Sequence, residues 1–264
     1  MDLQRTSIDE IFSQLVLSGP PIQSASTRKA LFWGEGVGEI SSYVAGWMVG
    51  KGIDVIVLDG ANRFNPYVAS SLARKALIPP ERLLKKIRIA RAFTCYQMAN
   101  LIGEKLVSLL HTKTVRAIHA CTPNCGVSAR RHESPLQQKP WVILLGPITT
   151  FLDEDVPERE VRPLFERALG MVEKMAMRGI PFFIFQPTVF PENPPNPPLI
   201  KGGKGGLMDS RRAYLARRLF RFSNLVWKVS LEEQGPKVVL EKGLAEKIPN
   251  DKHQITNKFQ LEKF

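Results

Sequence analysis

The sequence predicts a doubly wound α/β domain, because apolar runs of strand length alternate with segments of helical period from residue 29 to residue 185. Two further observations support that class. The runs DVIVLD (residues 54–59) and WVILL (residues 141–145) are apolar nearly throughout, as expected of parallel strands covered on both faces. The apolar run at residues 30–33 breaks into Gly34, Gly36 and Gly38 and restarts as a helix, the strand, turn and helix order of a phosphate-binding loop.

Composition narrows the partners. With 264 residues the chain can bury a full core as one domain. Its 37 Lys and Arg against 25 Asp and Glu leave a net charge of +12, so a polyanion, and nucleic acid first, is the expected partner. No apolar run reaches the roughly 18 residues of a membrane span, and the acidic, polar start MDLQRTSIDE is unlike a secretion signal. Three unevenly spaced cysteines make no disulfide framework. These features predict a cytoplasmic protein with no membrane partner.

Taken in order, Ile8, Ile11, Phe12 and Leu15 fall at helical spacing and predict a lead-in helix at residues 8–17, ended by the turn Gly19-Pro20-Pro21. Residues 29–33 read as the first buried strand. A helix over 41–50 follows the glycines, with Val44, Ala45 and Met48 on one face, and Gly50-Lys51-Gly52 ends it. The strand 54–59 is followed by a helix that Asn65-Pro66 opens and that runs through Ala76. A break at 77–80 and a short helix from Leu83 lead into a third strand, KIRIARAFT. Met98, Leu101, Ile102 and Leu109 mark a helix over 97–110.

Residues 111–140 interrupt the alternation with a strand-like piece, 115–119, and a polar loop. The strand 141–145 restores it. Val161, Leu164, Phe165, Ala168, Val172 and Met175 mark a long helix that Gly179 stops, and 181–185 is a fifth strand. Residues 187–209 are rich in Pro and Gly and predict a flexible loop. A helix at 210–222, then strands at 225–231 and 237–242, complete the domain, and 245–264 is a polar tail.

Three groups of residues carry candidate chemistry. In a working phosphate loop backbone N–H groups cradle the phosphates, a Lys supplies charge and a Ser or Thr holds Mg²⁺. Here Glu39 and Ile40 follow Gly38. A carboxylate repels a triphosphate, and isoleucine has no atom to ligate magnesium. The second group is His119, Cys121, Cys125 and His132, which could assemble a tetrahedral zinc site or be ordinary side chains of a surface insertion. Cys95 reads as a core residue. The third is cationic: Lys201 and Lys204 among glycines, then Arg211, Arg212, Arg217, Arg218 and Arg221. At 100° per residue Arg217, Arg218, Arg221 and Tyr214 share one helix side, while Leu215, Leu219 and Phe222 share another. A cationic face with an aromatic is how single strands are held without sequence choice; a solvated surface is the alternative. Arg63, Arg74, Lys75, Lys85, Lys86, Arg88 and Arg91 add a second basic region.

In order and spacing these pieces resemble the RecA/RadA recombinase family of ATPases over residues 8–242. The glycine loop resembles their phosphate loop, DGANRFNP (residues 59–66) their second-strand motif, and RIARAF (88–93) with Gln97 their third-strand segment. WVILLGPITTF resembles their magnesium-site strand, and RGIPFFIFQP the strand ending in a phosphate-sensing glutamine, here Gln186. The resemblance implies a RecA-like P-loop NTPase fold over 27–244, a mainly parallel sheet flanked by helices with a C-terminal β-hairpin. Residues 1–26 would be an N-terminal segment and 111–140 an insertion.

The departures define the expected function. The family's Lys falls on Glu39, its Thr on Ile40, its catalytic Glu on Ala61 and its magnesium-strand acid on Gly146. Those groups handle the charge of phosphoryl transfer, so their joint loss predicts a pseudo-ATPase, with Gln186 left as a surface glutamine. Gly34, Gly36 and Gly38 still offer N–H groups, which keeps ATP a candidate ligand alongside zinc. The expected role is a non-hydrolysing accessory in DNA recombination or repair, binding single-stranded DNA or another nucleic acid, or assembling with a RecA-family homologue. The alternatives are a nucleotide-binding regulator or ATPase with displaced residues, and a protein-interaction scaffold.

Overall fold

The computed structural model describes residues 29–110, 139–153, 155–188, 212–232, 235–243 and 256–257. The expected lead-in helix at 8–17, the strand-like piece at 115–119, most of the loop at 187–209 and most of the tail lie outside the described residues.

The sheet is built by the predicted apolar runs: β1 (Lys29–Gly34), β2 (Val55–Asp59), β3 (Ile87–Arg91), β4 (Trp141–Leu145), β5 (Phe182–Pro187) and β6 (Leu225–Glu232). These six pair in parallel, in the order β3-β2-β4-β5-β1-β6. β7 (Gly235–Lys242) runs antiparallel to β6, and the two-residue β8 (Thr256–Asn257) lies antiparallel beside β7. The fold is therefore α/β, with a mostly parallel sheet and helices on both faces.

Alternation along each strand sorts the core into two layers. Val55, Val57, Ile143, Leu145, Phe183 and Phe185 face α1 (Val37–Gly50), α2 (Pro66–Lys75) and α3 (Pro80–Leu84). Ile56, Leu58, Val142, Leu144, Phe182 and Ile184 face α4 (Cys95–Asn100), α5 (Glu158–Met177) and α6 (Ala213–Phe222). Cys95 is fully buried in the second layer, as expected, and burial pushes its thiol up, so it stays protonated at neutral pH.

Several boundaries differ from the sequence expectation. α1 begins at Val37 rather than residue 41, because Gly36 adopts a left-handed conformation, φ 65°, and closes the turn at once. The short helix α3 lies over Pro80–Leu84, since a proline suits a first helical position. The helix expected over 97–110 starts at Cys95, capped by Thr94 accepting from the Gln97 N–H, and relaxes into a π turn at Leu101–Lys105 before residues 106–110.

Topology concentrates the carboxyl ends that matter. From β1 the chain crosses to β2 and β3 on one side, then returns through β4 and β5 and passes β1 to reach β6. The direction of winding changes there, and open α/β sheets hold ligands outside the carboxyl ends of strands at such a point.

Candidate functional site

Both faces of the sheet offer a feature at this edge. On the α1 face lies the glycine loop, and its surroundings are filled by the protein itself. Glu35 N–H donates to the Val229 carbonyl at 3.0 Å, and the Glu35 carboxylate accepts from Leu231 N–H at 3.2 Å. A methyl placed on Gly36 would lie 3.0 Å from a Leu231 methyl, and one placed on Gly38 would lie 3.1 Å from Arg63 Cβ. Leu231 and the Arg63 stem therefore cover the turn that would face a phosphate. Glu39 is exposed in the first turn of α1, where a carboxylate favours the helix dipole, and Ile40 is buried in the core. Ser41 and Ser42 are both buried and both donate to the Gly38 carbonyl, at 2.7 and 3.0 Å.

The carboxyl ends of β2 and β4 are equally occupied. Asp59 is fully buried, and its carboxylate accepts from the N–H groups of Ala61, Arg63 and Phe64 at 3.2, 3.3 and 3.0 Å. It shapes the 60–64 turn and needs no metal to satisfy it. Arg91 Nε adds charge compensation at 3.7 Å. Where the resemblance would put catalytic acids, Gly146 meets Ala61 so closely that a methyl on Gly146 would lie 2.5 Å from Ala61 Cβ.

Gln186 is a correction to the sequence reading. It is not a surface glutamine but a buried one, 6% exposed. Its amide oxygen accepts from Ile148 N–H at 3.0 Å, and its Nε2 donates to the Pro187 carbonyl at 3.0 Å. It ties the turn after β4 to β5. Strand alternation places it beside Trp33, on the α6 face of the sheet.

On that face a cavity of about 330 Å³ opens between β1, β5 and α6. Leu31, Ile148 and Leu219, all buried, form its floor, and the half-buried Trp33 and the exposed Phe220 stand at its edge. Arg217 and Arg221 also line it, both exposed. Sequence reading missed Trp33 and Phe220. The signal was present, since Trp33 follows Leu31 at strand period and Phe220 sits three residues after Arg217 on a helix whose other side is core.

The structure divides the cationic candidates. Arg217 and Arg221 have no ion-pair partner among the described residues. Arg218 makes a bidentate pair with Glu166 of α5, Nε to Oε1 at 2.8 Å and Nη2 to Oε2 at 2.9 Å, which holds the guanidinium still more firmly protonated and cancels its charge locally. Arg212 is a second correction. Its side chain is buried, and its guanidinium donates to the carbonyls of Phe151 and Val156, both at 2.7 Å, and of Asp153. The buried guanidinium is thus directed at the protein's own carbonyls rather than at the surface. Tyr214, expected beside the cations, packs into the second layer with Arg162 5.9 Å over its ring, and burial pushes its hydroxyl up.

Lys201, Lys204 and Arg211 lie outside the described residues, as do His119, Cys121, Cys125 and His132. Among the described residues no group of three or more His, Cys, Asp or Glu side chains could hold a metal ion. No helix among them is long and apolar enough to cross a membrane. The second basic region is separate from α6: Arg88 and Arg91 lie on β3, four strands from β1, or about 19 Å at the usual spacing.

Fold and site together define an α/β domain with a mostly parallel sheet, whose glycine loop is covered and whose open cavity lies on the opposite face. No protein-family model matches the chain, and no curated protein is significantly similar to it in sequence.

Proposed function

We propose that this chain is a RecA-like domain without ATPase chemistry that holds single-stranded nucleic acid on the α6 face, as an accessory in DNA recombination or repair. The observation that carries the reading is the pairing of Arg217 and Arg221, one helical turn apart and without described acidic partners, with an apolar cavity at the carboxyl ends of β1 and β5. Cations for phosphates and apolar surface for bases are the two requirements of sequence-tolerant strand binding. The net charge of +12 favours the same class of partner. The RecA-like placement draws support from a glycine turn between the first strand and helix of a mostly parallel sheet, and from the antiparallel β6 and β7 as its C-terminal hairpin.

Anisotropy titration of a labelled oligothymidylate across a salt series tests the assignment. The double variant R217A/R221A is expected to bind more weakly and to flatten the log–log salt slope by about 1.4, since each single-strand phosphate contact contributes about 0.7. Unchanged affinity at low salt would remove α6 from the binding surface.

The covered glycine loop supports the pseudo-ATPase part of the reading. Leu231 and the Arg63 stem stand against the turn, and Glu39 puts a carboxylate where the motif has its lysine. Millimolar Mg·ATP is therefore expected to leave the melting temperature unchanged. A ligand at a hundred times its Kd would add about 2.7 kcal/mol, and a rise of several degrees would reinstate a nucleotide-binding regulator.

A further inference from the structure

We propose that the cavity between β1, β5 and α6 takes one unstacked base of the bound strand, with the flanking phosphates on Arg217 and Arg221. The inference rests on the single-strand reading above and adds what the cavity does.

Size and chemistry point to a base. At about 330 Å³ the space lies at the small end of the roughly 300–1,000 Å³ typical of ligand pockets, which suits a planar ring system better than a whole nucleotide. Its floor, Leu31, Ile148 and Leu219, is aliphatic, and Trp33 and Phe220 supply aromatic surface at the edge. Trp33 is anchored for this task. Its Nε1 donates to Glu241 at 2.8 Å, and the Lys228 ammonium lies 5.4 Å from its ring. A fixed aromatic plane loses little freedom on stacking.

The two arginines set the orientation. Arg217 and Arg221 are four residues apart, about 6 Å along the helix axis, so one cation stands on each side of an inserted base. An apolar acid of small size would use one cation at most, whereas a strand passing over the cavity uses both.

The test uses the full chain and a short oligothymidylate carrying one central 2-aminopurine. In the wild-type complex the analogue is expected to be shielded from acrylamide quenching. The cavity-filling variant Ala216→Trp should abolish the shielding, and Phe220→Ala should weaken binding roughly five- to 150-fold, the range of one lost stacking contact. Phe220→Ala should also reduce the shielding with the fold intact by circular dichroism, which keeps the test valid if Ala216→Trp fails to fold. If the analogue stays open to acrylamide while R217A/R221A lowers affinity, the base site is wrong and the strand-binding surface stands. If R217A/R221A binds as wild type at low salt, both fall.

Discussion

Replacing Gly34 with alanine is expected to cost about 2–6 kcal/mol, a large share of the roughly 5–15 kcal/mol that holds a folded domain together. Gly34 ends β1 at φ 128°, a conformation that costs an L-residue about 1–3 kcal/mol. An added Cβ would also lie 1.9 Å from the Val229 carbonyl oxygen of β6. That oxygen cannot retreat freely: Gly34 is paired in register with Val229, and the same carbonyl accepts from Glu35 N–H. Overpacking against fixed backbone adds about 1–3 kcal/mol. Urea denaturation of Gly34→Ala checks the figure, and a loss below 1 kcal/mol would show that β6 can move aside. The sequence motif suggested a glycine kept for phosphate approach. In the structure the close approach is made by the neighbouring strand.

The variant Arg212→Met is expected to destabilise the protein by about 3–5 kcal/mol, because enclosed carbonyls lose their donor at about 1–3 kcal/mol each. The Arg212 guanidinium gathers the carbonyls of Phe151, Asp153 and Val156 and pairs with Glu158 at 3.4 Å, so it binds the start of α6 to the turn before α5. Methionine keeps most of the volume and takes the guanidinium from all three carbonyls, of which that of Asp153 keeps a backbone donor, the Val156 N–H at 3.3 Å. For a chain of this size the melting temperature should fall by about 10 °C, at 2–4 °C per kcal/mol. Arg212→Lys should recover part of the loss, because an ammonium has three donors but cannot match the planar fork. Where it is still folded, Arg212→Met should bind nucleic acid as wild type does. A stable variant with weakened strand binding would return Arg212 to the surface role its neighbours suggested.

Arg212, Arg217, Arg218 and Arg221 show where sequence reading ends. All four are arginines within ten residues, and helical spacing placed three of them on one side. Spacing says which residues share a side of a helix, not what the next helix holds opposite them. Glu166, fifty-two positions away, neutralises Arg218, and carbonyls more than fifty positions away enclose Arg212. Gln186 follows the same logic: its position at the end of β5 was legible, whereas its burial depends on Ile148 and on the strand pairing that turns it toward α6. The helix starts at Val37 and Cys95 were missed by a few residues, because Gly36 and Thr94 close those turns through local geometry that apolar periodicity does not record.

Apolar runs of period two and stripes of period near 3.6 were sufficient to establish the α/β class and the strands of its parallel core, since local patterns of burial are written residue by residue along the chain. That Glu39 is acidic and that Ile40, Ala61 and Gly146 bear no charge was equally legible, because identity alone decides whether a side chain can bear charge. Which cations stay exposed, what covers the glycine loop and where a cavity opens were decided only by packing: each depends on contacts between segments far apart in sequence, and no local periodicity encodes those.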